Sequence, residues 1–174
     1  MRYLGIDPGL RITGYGCLEL PASGLRIGQA PTIVEAGVFR LGKNGPEPGK
    51  SIASVSARLL ELDADLRDLF DRVRPDVVAV EALFAHPKHP ATAIVMAHAR
   101  GVILLNVRRA GLPLVELRPR EVKKSLTMWG AAGKDQMQRA VQARFGLAEA
   151  PSPPDVADAI AIALCAAERG ELRA

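Results

Sequence analysis

A chain of 174 residues is long enough for one domain with a real core. Hydrophobic residues make up 48% of it, which excludes a disordered polypeptide, and no apolar run is long enough to span a bilayer. The net charge of +4 hides an asymmetry: residues 100–144 carry ten Lys or Arg against three acids, and the remainder carries 13 against 16. Basic charge gathered in this way is either the footprint of a polyanion partner or a solvated helix surface. The aromatic residues are one Trp, two Tyr and four Phe, too few for a platform that stacks single strands. A duplex or branched nucleic acid gripped by its phosphates suits this composition better. No signal-peptide pattern precedes the first apolar run. Cys17 and Cys165 lie in apolar segments far apart in sequence, so buried free thiols in a cytoplasmic protein are expected.

The chain opens on an apolar run, Tyr3 to Ile6, that reads as a short buried strand. It ends on Asp7 and then Pro8-Gly9, a strong turn signal. Asp7 either opens that turn with its own side chain or is aimed at a substrate or metal. Residues 13–20 and 33–41 alternate and read as a second and third strand, forming an antiparallel meander with the first. Loops rich in Gly and Pro fall at 21–31 and 42–49.

The clearest helix spans 51–73. Ile52, Val55, Leu59, Leu62, Leu66, Leu69 and Val73 make one apolar stripe, and Arg58, Glu61, Asp65, Arg67, Asp68 and Asp71 occupy the other faces. Val77 to Val80 is a continuous apolar, mostly β-branched run, expected of a strand covered on both faces, and it ends on Glu81. A loop with Phe84, His86, Pro87, Lys88 and His89 follows, then an apolar helix over 91–110 closed by Gly111. A fifth strand is expected at 113–117, a basic helix at 120–129 with Trp129 packing at its end, and a further helix at 134–145. The last helix begins near Ser152, which with Asp155 resembles a capping box with Pro153 in the first helical position. Its body, 159–167, is apolar all round and therefore buried. The order βββαβαβαα plus a buried helix predicts an α/β domain: one mixed five-stranded sheet with helices on both faces, over residues 1–174.

Four carboxylates share one description. Asp7 and Glu81 end two buried strands, and Asp155 and Asp158 lie on one face at the start of a buried helix. Acids there complement the helix dipole, which accounts for one of them and poorly for Asp158. No Lys or Arg lies within seven residues of Asp155, so no local ion-pair partner exists. If the two strands are neighbours, all four acids converge at one sheet edge, where mutual repulsion calls for divalent cations. Oxygen-only ligands suit Mg2+ or Mn2+, and a pair of such ions supports phosphodiester cleavage.

With Gly5-Ile6-Asp7-Pro8-Gly9, Thr13-Gly14-Tyr15-Gly16, Val80-Glu81 with Phe84, Ala99-Arg100-Gly101, Val122-Lys123-Lys124 with Lys134, and Asp155 to Ala163 in hand, the sequence resembles the RuvC family of bacterial Holliday junction resolvases, which are ribonuclease-H-like nucleases. The resemblance covers nearly the whole chain. It implies a magnesium-dependent endonuclease, with two ions per site and Mn2+ as a substitute, that makes paired nicks in four-way junction DNA during recombination and repair. It implies Asp7, Glu81, Asp155 and Asp158 as catalytic metal ligands, Lys123 and Lys134 near the scissile strand, and Phe84 entering the junction. Arg100, Arg120 and Lys124 join them as expected DNA contacts. A homodimer, with the 91–110 helix as candidate interface, and a RuvA–RuvB branch-migration partner are further implications. The sequence departs from the family pattern at Ala82, where glutamine is common, in the longer loops, and in ending without a long basic tail.

Rival readings are a phosphate loop of the actin-like ATPases, a junction binder without catalysis, and another ribonuclease-H-like enzyme such as one cutting RNA–DNA hybrids. The first needs a second lobe that this length does not hold, and the second has no need of four acids. His86 and His89 lack the partners of a zinc site.

Overall fold

The computed structural model describes residues 1–21, 29–42, 52–82 and 90–171. The element order is β1 (Arg2–Asp7), β2 (Ile12–Glu19), β3 (Thr32–Arg40), α1 (Ile52–Val73), β4 (Val77–Glu81), α2 (Pro90–Arg109), β5 (Leu114–Leu117), α3 (Pro119–Thr127), α4 (Lys134–Phe145) and α5 (Pro154–Glu171). The strands form one sheet in the order β3-β2-β1-β4-β5. The first three pair antiparallel, and β1-β4 and β4-β5 pair parallel. This is the expected mixed sheet, and no described helix is long and apolar enough to cross a membrane.

The period of two along the strands sorts side chains to opposite faces. Leu4, Ile6, Val78 and Val80 pack with Leu62, Leu66 and Leu69 of α1 and Ile103 and Val107 of α2. Tyr3, Val77 and Ala79 point the other way, into a cluster with Ala161, Ile162 and Cys165 of α5, Val122 of α3 and Met137 of α4. Asp7 and Glu81 continue the second set, so both leave the sheet on the α5 side. Both cysteines are free and buried, as expected.

Helix α5 sits directly on β1 and β2 because glycines face it. A Cβ at Gly5 would come 2.5 Å from the Ala163 backbone nitrogen, and one at Gly16 would come 2.9 Å from Ile160 Cγ1. Real Cβ atoms do not approach so closely, so any larger residue would lift the helix off the sheet.

Three local expectations are corrected. The last helix begins at Pro154 rather than near Ser152, and the Pro153 carbonyl accepts the Val156 N–H at 3.0 Å. Arg58 is not on a solvent face: it is buried, and its guanidinium donates to the Ser54 carbonyl at 3.0 Å and the Ser54 hydroxyl at 2.8 Å. Helix α3 ends at Thr127, and Trp129 is 64% exposed rather than packed at a helix end. The expectations for Phe84, His86 and His89, and most of both glycine-rich loops, lie outside the described residues.

Candidate active site

Parallel pairing sets Ile6 against Val80, so the next residues, Asp7 and Glu81, leave neighbouring strands side by side. On its other flank Asp7 pairs with Gly14 of β2. Gly14 lies beneath the first turn of α5: a Cβ there would come 2.7 Å from the Asp155 carbonyl carbon and 3.2 Å from Asp155 Cβ. The sheet register and this close approach bring all four predicted acids to one edge.

The turn after Asp7 is stapled by Thr13. Its buried hydroxyl donates to the Gly9 carbonyl at 2.5 Å and accepts the Gly9 N–H at 3.4 Å. Thr13 was legible only as part of a motif; its role as the staple needed the fold.

Asp7, Glu81 and Asp158 line a cavity of about 160 Å³, with Lys123, Lys134 and the apolar side chains of Val122 and Met137. Burial holds the Asp7 carboxyl well above the usual carboxylate range, and the charges of Glu81, Asp158 and Asp155 push it further against an opposing pull from Lys134. Burial first, then Asp158, pushes Glu81 up to about 7, with Lys123 opposing. Asp158 is raised by burial and by Asp155, while Lys134 and Lys123 pull it down. The acids therefore feel one another, and the two lysines are their counter-charges.

Helix geometry positions those lysines. In α3, Glu121 reaches back to accept the Arg118 N–H at 3.1 Å, which fixes the helix start and aims Lys123 at the cavity. In α4, Gln136 accepts the Gly133 N–H at 2.9 Å, so Lys134 is the first helical residue. A cation at a helix N-terminus opposes the dipole, at a cost of about 0.3–1 kcal/mol. Among the described residues Lys134 makes no direct ion pair, and the charges of Asp7 and Asp158 offset that cost through space.

Of the other predicted DNA contacts, Arg120 and Lys124 are exposed on α3. Arg100 is not at the cavity: its guanidinium pairs with Glu116 of β5.

The donor set tests whether divalent ions fit. Among the described residues no three His, Cys, Asp or Glu side chains stand close enough together to hold one metal ion. Mg2+ does not require three, since it commonly takes one or two carboxylates and completes its shell with water and phosphate oxygens. Among the described residues the lining supplies carboxylate oxygens from Asp7, Glu81 and Asp158 and no Cys or His, a donor set that fits such ions.

The model of the family described as crossover junction endodeoxyribonuclease RuvC matches residues 3–166. Curated members are similar throughout: the protein of Moorella thermoacetica is 42% identical over 165 residues, covering 95% of this chain and 90% of that protein. The protein of Chloroflexus aggregans is 41% identical, covering 95% and 92%. Among solved structures, Thermus thermophilus RuvC superposes with a TM-score of 0.81 at 29% identity, covering 99% of this chain and 97% of that one. The same protein in complex with a Holliday junction substrate gives 0.79 at 27% identity, covering 99% and 96%. The yeast mitochondrial Holliday junction resolvase Ydc2 shares the fold, with a TM-score of 0.64 at 13% identity. The chain belongs to the crossover junction endodeoxyribonuclease RuvC family.

Proposed function

We propose that this chain, acting as a single nuclease domain, resolves four-way DNA junctions by metal-dependent phosphodiester hydrolysis, with Asp7, Glu81, Asp155 and Asp158 as the metal-binding acids. The observation that carries the reading is that Asp7, Glu81 and Asp158, from β1, β4 and α5, line one cavity with Lys123 and Lys134, and that Asp155 is close enough for its charge to act on Asp7 and Asp158. Family membership supplies the reaction class, and the junction complex of the Thermus relative supplies the substrate.

When bound, a pair of Mg2+ ions would activate water and stabilise the leaving oxygen; Mn2+ has the same ligand preferences. The residues of the chain do the rest. The sheet holds Asp7 and Glu81 rigidly, and α5 adds Asp155 and Asp158 from above. Lys123 and Lys134 flank the acids and bind the phosphate to be cut, which is repelled by the carboxylates alone. Val122 and Met137 form an apolar wall that limits bulk water. Arg120 and Lys124 extend the positive surface along α3, and Phe84, three residues after Glu81 in sequence, is the proposed apolar ring that opens a strained junction step.

Paired nicks require two sites related by two-fold symmetry, so the working unit is a homodimer. Ile94 and Leu105 of α2 are large apolar side chains left exposed, in keeping with an interface on that helix. A RuvA–RuvB branch-migration motor is the proposed partner, by resemblance to the family.

The test is incubation of the chain with a synthetic four-way junction, a linear duplex and an RNA–DNA hybrid, with Mg2+, Mn2+ or EDTA, read on a denaturing gel. Paired nicks confined to the junction, and abolished by EDTA, are expected. Cleavage of the hybrid in preference to the junction would move the chain to another ribonuclease-H-like activity.

A further inference from the structure

The turn joining α3 to α4 carries two of the three most exposed large apolar side chains among the described residues: Met128 at 81% and Trp129 at 64%. Exposed side chains of this kind usually sit on loose loops, yet this turn is held at several points. The Met128 N–H donates to the Lys124 carbonyl at 3.0 Å, and Met128 itself takes a left-handed conformation with φ 60°. The Thr127 hydroxyl accepts the Trp129 N–H at 3.2 Å and shares its proton between the Lys123 carbonyl at 2.7 Å and the Trp129 carbonyl at 2.9 Å. That same carbonyl also accepts the Ala132 N–H at 3.2 Å. Gly130 packs against the first turn of α3, where an added Cβ would come 3.3 Å from the Arg120 carbonyl oxygen. Met128 in this left-handed conformation is the C-cap that closes α3, so the turn is fixed while both side chains stay in solvent.

The surroundings point to the occupant. Ala132 and Lys134, at the far end of the same turn, line the cavity of the acids. Arg120, Lys123 and Lys124 lie on the helix before it, and among the described residues none of them has an ion pair. An aromatic ring fixed in a field of unpaired cations beside a phosphodiester site matches nucleic acid: the cations take phosphates, and the indole takes a base or sugar face.

Resting on the reading of the chain as a junction nuclease, we propose that Trp129 is a DNA-contact residue that stacks on an exposed base or deoxyribose next to the scissile phosphate and so sets the register of the strand over the acids, with Met128 as its apolar neighbour. A duplex arm has its bases stacked, whereas the branch point exposes them, so the contact is made chiefly with the junction.

Trp129 is the single tryptophan of the chain, so its fluorescence reports this contact without labelling the protein. The full chain in EDTA is titrated with a fluorescein-labelled four-way junction, and binding is followed independently by anisotropy of the label. Expected at saturation are a marked loss of tryptophan emission and a several-fold drop in its quenching by acrylamide. Trp129→Ala should bind the junction roughly tenfold more weakly and Trp129→Phe nearly normally, with both variants melting as wild type. Bound junction with unchanged emission and acrylamide access overturns the inference. So does shielding of Trp129 that grows with protein concentration in the absence of DNA, which would make the turn a contact between copies. Absence of any anisotropy change would sink the junction-nuclease reading itself, and this contact with it.

Discussion

Gly14 and Asp155 are in direct apposition: the glycine at the start of β2 leaves room for the backbone of the first turn of α5, and a Cβ would come 2.7 Å from the Asp155 carbonyl carbon. The same glycine pairs with Asp7 across the sheet. One residue without a side chain thus sets the separation of two acids that are far apart in sequence. Gly14→Ala should push α5 outward, destabilise the protein by about 1–3 kcal/mol and lower cleavage out of proportion to the folded fraction. Thermal melting and junction cleavage per folded molecule check this; a normal rate in a normally melting variant would show that the approach carries no function.

The raised carboxyl of Glu81 makes a pH prediction. Its value in the folded chain is about 7 against an ordinary 4.5, so the folded state holds the proton more tightly than the unfolded state. The stabilising contribution of the protonated form is complete below about pH 4.5 and is lost as pH rises through 7. Without divalent ions the wild type should therefore lose about 2 kcal/mol between pH 5 and 8 from this group, after allowance for solvent screening. Asp7 and Asp158 shift in the same direction. Glu81→Gln should melt several degrees higher than wild type at pH 8 in EDTA and gain nothing at pH 5. An equal gain at both pH values would mean that charge repulsion is not its source.

Lys123 and Lys134 should separate from the acids in a salt titration. Each lysine that meets a phosphate contributes about one unit to the slope of log affinity against log salt. Lys123→Ala and Lys134→Ala should each reduce that slope by about one, weaken binding and slow cleavage. An unaltered slope in both variants would leave them as counter-charges for the acids alone.

Much of this was legible in the sequence for a physical reason. Strand and helix periods are local, so β4 and α1 could be read from Val77–Val80 and from the stripe ending at Val73. The acids were legible because Asp158 begins a helix body with no polar face to excuse it. Pairings are not local: that Asp7 and Glu81 stand side by side depends on the β1-β4 register, and the staple from Thr13 to Gly9 depends on the angle of the turn. Trp129, expected to pack at the helix end, instead follows the left-handed cap at Met128 and is exposed, and the pattern of the helix before it does not encode that cap. Arg100 counted toward the basic segment, but Glu116, sixteen residues later, occupies it.

The central claim is that the four acids perform the chemistry and do not hold the DNA. Asp7→Asn, Glu81→Gln, Asp155→Asn and Asp158→Asn, each at a protein concentration that saturates a labelled four-way junction, should be compared with wild type in Mg2+ on a denaturing gel. Removal of negative charge does not weaken attraction to phosphates, so all four should bind at least as well as wild type and give no detectable paired nicks. Wild-type cleavage by Asp7→Asn or Asp155→Asn would contradict the account.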